Sequence, residues 1–182
     1  MTPKTDITGE LTWAHATRDI PQSGLSREHA ASPEELAGVA RVLDLVACTR
    51  LEAAYAVVPA SDGRYRLSGT LRAEITQTCV VTLEPVANAI EERFDVTFWP
   101  DEDMPAPPSG ELDMDEEPDP EPIVAGQIAV GRVVFECLAA AIDPFPRKPG
   151  AVLDWRSPLA ADDAAGKPEN PFAVLATIKP KA

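Results

Sequence analysis

Cys79 sits in the stretch EITQTCVVTLEPV, residues 74–86, three positions before Thr82. A thiol at that spacing from a second thiol is half of a zinc-ligand or redox pair. Here the other position is a threonine. The remaining cysteines, Cys48 and Cys137, are distant in sequence, and both histidines, His15 and His29, lie near the N-terminus. A zinc site draws about four Cys or His ligands, usually with one close pair, and this chain has no close pair. The residues therefore predict no metal and no other cofactor. Buried cysteine behaves as a small hydrophobe, so Cys79 and Cys137 read as core residues. A nucleophilic cysteine or serine needs a neighbouring base and an orienting group. No G-x-S-x-G, phosphate-cradling glycine loop or H-E-x-x-H is present. The reading is a non-enzymatic protein with no small-molecule substrate. An RNA-processing or thiol-dependent enzyme is the alternative.

Charge offers other chemistry. Arg64, Arg66 and Arg72 share one parity of an alternating run. Such a row can track a nucleic-acid backbone, or it can coat a wet sheet face with arginine stems lying over apolar surface. No aromatic residue is interleaved with these arginines, so a base-stacking platform is not evident. Arg147 and Lys148 lie in the proline-rich DPFPRKPG, a contact site or a rigid connector. From Phe94 to Gly131 there is no Lys or Arg, but there are eleven acids. The other 19 of the 30 acids face 16 basic residues, leaving −3 of the chain's net −14. Within the acidic segment Asp113, Asp115, Glu116, Glu117 and Asp119 are candidates for meeting a basic partner. A solvated loop has the same composition.

These groups need elements to hold them. With 182 residues and 45% hydrophobic content, the chain can bury a core without staples. Residues 1–150 read as one domain with an acidic insertion at 101–122, and 151–182 as an extended tail. A patch near 170–179, with Phe172, Leu175 and Ile178, is a candidate docking segment. Ser32, Pro33 and Glu35 predict a capped helix start, with the stripe Leu36, Val39, Ala40, Leu43 and Ala47 running to Ala47. Asp62-Gly63 predicts a hairpin turn. Beyond it Tyr65, Leu67, Leu71, Ala73, Ile75, Cys79, Val81 and Leu83 alternate as one buried strand face, with Gly69 as a bulge or bend. Phe94, Val96 and Phe98 alternate again. Val130, Val133, Val134, Cys137, Leu138 and Ala141 form a helical stripe that Asp143-Pro144 should end. The fold class is α+β: antiparallel strands, open or curled toward a barrel, covered by helices near 32–47 and 130–142. An acidic disordered loop completes the picture.

The order of CVVTLEPV, a further strand, the acidic excursion, IAVGRVVFECLAAAIDPFPRKPGA and NPFAVLATIK resembles the YceD family. This is the large ribosomal RNA subunit accumulation protein family. The similarity spans roughly 51–179. Relatives often carry C-x-x-C where this chain has Cys79-Val80-Val81-Thr82, and further cysteines where it has 144–150. The chain looks like a branch without that thiol cluster. The resemblance implies a bacterial cytoplasmic factor for ribosome biogenesis, partnered by precursor ribosomal RNA or a ribosomal protein. An acidic adaptor unrelated to ribosomes is the remaining alternative. Three widely spaced cysteines and no membrane-length apolar run fit a reducing, soluble setting.

Overall fold

The computed structural model describes residues 11–105 and 119–153. It divides into two compact units, Met1–Pro149 and Gly150–Ala182. Residues 150–153, the described part of the second unit, contain no helix or strand. The candidate docking residues Phe172, Leu175 and Ile178 fall outside the described residues, as do Asp113, Asp115, Glu116 and Glu117.

The first unit is an α+β structure built on an open five-stranded sheet. Its strands are β2 (Leu25–Ala30), β3 (Ala47–Pro59), β4 (Tyr65–Thr78), β5 (Pro85–Pro100) and β6 (Glu121–Ile123), hydrogen-bonded in that order. All pairings are antiparallel except β5 with β6. The edges β2 and β6 do not meet, so the sheet is not a barrel. A separate two-stranded ladder joins β1 (His15–Ala16) to β7 (Gln127–Ile128).

Local sequence explains the turns and ends. Asp62 and Gly63 both have positive φ (59° and 70°), as a two-residue hairpin turn demands. Helix α1 (Pro33–Val42) starts in a complete capping box. Ser32 N–H donates to Glu35 Oε2 at 2.9 Å, and Glu35 N–H to Ser32 Oγ at 3.3 Å. The helix does not run on to Ala47. Asp44 turns left-handed (φ 51°), and Leu45 N–H bonds back to the Ala40 carbonyl at 2.9 Å. That is a Schellman closure, and it frees Ala47 and Cys48 to begin β3. Helix α2 (Val130–Ala141) ends at Ile142, just before Asp143-Pro144.

One face of the sheet is buried. Leu51, Val57, Leu67, Leu71, Ile75, Phe94 and Phe98 pack with Val39 of α1 and with Val130, Val134 and Leu138 of α2. Each such side chain contributes roughly 1.5–3 kcal/mol by leaving water. Gly69 is neither bulge nor bend, because the register runs unbroken through Tyr55, Gly69 and Phe94. A Cβ there would lie 2.5 Å from the Ala54 carbonyl oxygen and 2.8 Å from Phe94 Cζ. The glycine makes room for the ring. On the opposite face no strand residue from Arg50 to Val58 of β3, or from Arg66 to Thr78 of β4, is buried. Among the described residues no helix is long and apolar enough to cross a membrane.

Candidate functional site: the Cys79 turn and the arginine face

Strand β4 stops at Thr78, so Cys79, Val81 and Leu83 do not share a strand face. Residues 79–84 form a tight turn instead. Leu83 takes a left-handed conformation (φ 60°) and is 76% exposed. Cys79 N–H reaches the Glu84 carbonyl at 2.8 Å, and Leu83 N–H the Cys79 carbonyl at 3.0 Å. Cys79 is fully buried, but in this turn and outside the main apolar cluster.

Its sulfur is an acceptor hub. Three backbone N–H groups point at Sγ, from Val81 and Thr82 at 3.4 Å and from Lys148 at 3.3 Å. The Thr82 hydroxyl and the Lys148 and Thr82 N–H groups hold the thiol down to about 6 from an ordinary 9.0, against the opposing effect of burial. The loop after α2 is fastened to the same turn. Val80 N–H donates to the Pro146 carbonyl at 2.9 Å, and Lys148 Nζ lies 3.0 Å from Glu84 Oε2. Buried Gln77 completes the link: its Nε2 donates to the Asp143 carbonyl at 2.8 Å, and its Oε1 accepts from Asn88 Nδ2 at 2.9 Å. A polar residue inside an alternating apolar face was the sequence signal for this buried junction.

This donor set does not fit a thiol-bound metal. Cys79 supplies one sulfur, Thr82 stands where a second thiol would be, and 144–150 hold no cysteine. Among the described residues no three His, Cys, Asp or Glu side chains converge. The other thiols differ in character: burial pushes both Cys48 and Cys137 up. Cys137 is half-buried beside the core.

The arginine row lies on the exposed sheet face, and its members are engaged. Arg66 forms a two-bond fork with Asp95, with Nε to Oδ1 at 2.8 Å. Arg72 does the same with Glu91, with Nε to Oε2 at 3.1 Å. Each carboxylate is held below its usual range by its arginine. Arg64 lies 3.8 Å over the Trp99 ring. That aromatic partner comes from β5 by cross-strand register, so the sequence around Arg64 did not reveal it. Arg147 is exposed, two positions along the chain from the loop residue Phe145, itself 70% exposed. Asp119 is exposed, while Glu121 pairs with Arg132 of α2 at 3.3 Å.

A family model described as large ribosomal RNA subunit accumulation protein, YceD, matches residues 67–179. The match takes in the Cys79 turn, β5, the acidic segment and α2. No curated protein and no solved structure matches the chain.

Proposed function

The chain belongs to the YceD family, and from that premise we propose that it supports accumulation of large-subunit ribosomal RNA by binding, without catalysis. Its direct partner in this reading is a basic large-subunit ribosomal protein, met by the acidic segment. One observation carries the choice of protein over RNA: Arg66 and Arg72 are already spent on Asp95 and Glu91. A phosphate backbone needs uncommitted cations. The net charge of −14 adds to the same preference. Such a factor acts in the cytoplasm, where it shields a cationic surface until RNA replaces it.

The acidic segment leaves and rejoins the sheet at fixed points. Phe98 of β5 is paired with Glu121 of β6. Deleting residues 106–118 therefore tests the segment while sparing both anchors. The expected result is weaker capture of purified large-subunit ribosomal proteins, and added salt should weaken capture by the full chain as well. Capture unchanged by both treatments would sink the reading.

A second reading rests on two exposed residues of one loop, Phe145 and Arg147. A cation and an aromatic ring exposed on one loop suit an unpaired nucleotide. Crosslinking in cells, followed by sequencing of bound RNA, separates the two. Ribosomal RNA crosslinks that vanish with Arg147→Glu would favour RNA as the direct partner.

A further inference from the structure

Three register rows of the uncovered sheet face place opposite charges on the two sides of the line between β3 and β4. One register row crosses four strands as Glu28, Ala54, Thr70 and Arg93. Opposite charges stand at its ends and small residues at its centre. Among the described residues neither Glu28 nor Arg93 makes a hydrogen bond or ion pair. The neighbouring row runs Ala30, Glu52, Arg72 and Glu91, and the one beyond runs Arg50, Glu74 and Ala89 across β3, β4 and β5. Reflected across the line between β3 and β4, each charge in these rows falls on an opposite charge or on a neutral residue. A groove of about 480 Å3 opens on this face, with Glu28, Ala54 and Thr70 among its walls.

We propose that this face is a two-fold docking surface for a second copy of the chain. Sign reversal about a line is the condition for self-complementarity under a two-fold axis along that line. With the axis parallel to the strands between β3 and β4, Glu28 falls opposite Arg93 of the second copy, and Arg93 opposite its Glu28. Glu52 likewise faces Arg72, and Arg50 faces Glu74; these groups already hold ion pairs within their own chain, so they add compatibility, and the new attraction comes from Glu28 and Arg93. None of these three rows opposes like charges. Glu28 and Arg93, which hold no hydrogen bond or ion pair among the described residues, thus each gain one. The small central residues Ala54 and Thr70 let the faces approach to the roughly 10 Å of stacked sheets, with strands near −30° to one another. A polyanion or a polycation fits worse, because arginines and carboxylates alternate and either would meet its own sign. Most of the chain's excess charge lies in 94–131, and about 0.15 M salt screens repulsion beyond about 8 Å.

The test is sedimentation velocity on the full chain, with Glu28→Arg, Arg93→Glu and the double exchange. Both residues are exposed, so circular dichroism should confirm that each variant folds. The expected result is a dimer for the natural chain. Each single reversal should weaken it at least ~10-fold, since it places like charges together twice per dimer. The double exchange should restore it. A natural chain that stays monomeric at about 100 μM overturns the proposal. So does a dimer indifferent to the single reversals, or one that the double exchange fails to rescue. Ribosomal-protein capture reports separately on the acidic segment, so either idea can fail alone.

Discussion

Lys148 N–H points at Cys79 Sγ across 3.3 Å, joining two turns that are 69 residues apart. The sulfur collects N–H groups from both sides of the junction, and the thiol is held near 6. The contact is a staple made of hydrogen bonds to an anion-prone atom, with no metal chemistry required of it.

The staple should carry a pH signature. A folded value of about 6 lies below the ordinary 9.0, so the unfolded state binds more protons between them. Stability from this group is then fully present above about 9 and is lost as pH falls through about 6. The urea midpoint of the natural chain should therefore rise from pH 6 to pH 9 more than that of Cys79→Ala. Parallel profiles for the two proteins would show that the thiol is not ionised in the fold.

Gln77 should matter as much as an apolar core residue. Removing its amide with Gln77→Leu leaves the Asp143 carbonyl and the Asn88 amide without their present partner. The expected loss is about 1–3 kcal/mol by urea unfolding. Hydrogen exchange at Val80 should accelerate, because its N–H bonds the same loop at Pro146. An unchanged Val80 rate would show that Gln77 does not hold the loop.

Gly69 should not accept a side chain. Gly69→Ala forces its Cβ against the Ala54 carbonyl and the Phe94 ring, at a cost of about 1–3 kcal/mol or more. Pairing it with Phe94→Leu should recover part of the loss on the ring side. Thermal unfolding of the two single variants and the double variant measures the coupling.

The α1 start offers a smaller effect. Ser32→Ala removes the acceptor for Glu35 N–H and should cost about 1 kcal/mol. Loss of near-zero stability would mean that packing of Val39 and Leu36 alone holds the helix.

Much of this architecture was legible because periodicity and punctuation agreed. Asp62-Gly63, the Ser32–Glu35 box and Asp143-Pro144 mark ends that the structure keeps. The parity of Leu67, Leu71, Ala73 and Ile75 gave the buried face. The same parity misled beyond Thr78, since Cys79, Val81 and Leu83 continue the pattern while the backbone turns away. Strand β2 was missed: SREHA carries no apolar alternation because every residue from Ser26 to Ala30 is exposed. The ion pairs of Arg66 and Arg72 depend on the β4–β5 register, and that register follows from the 79–84 turn that the parity concealed. The Asp44 closure was hidden too, because helical spacing continued to Ala47.

The parallel pairing of Phe98 with Glu121 has a wider consequence. It makes the two ends of the acidic excursion near neighbours, so closing a flexible connection between them depends only weakly on its length. Doubling that length costs only about 0.6 kcal/mol. The two anchors therefore form a chassis: acidic stretches of different size or spacing fit between them without repacking the core.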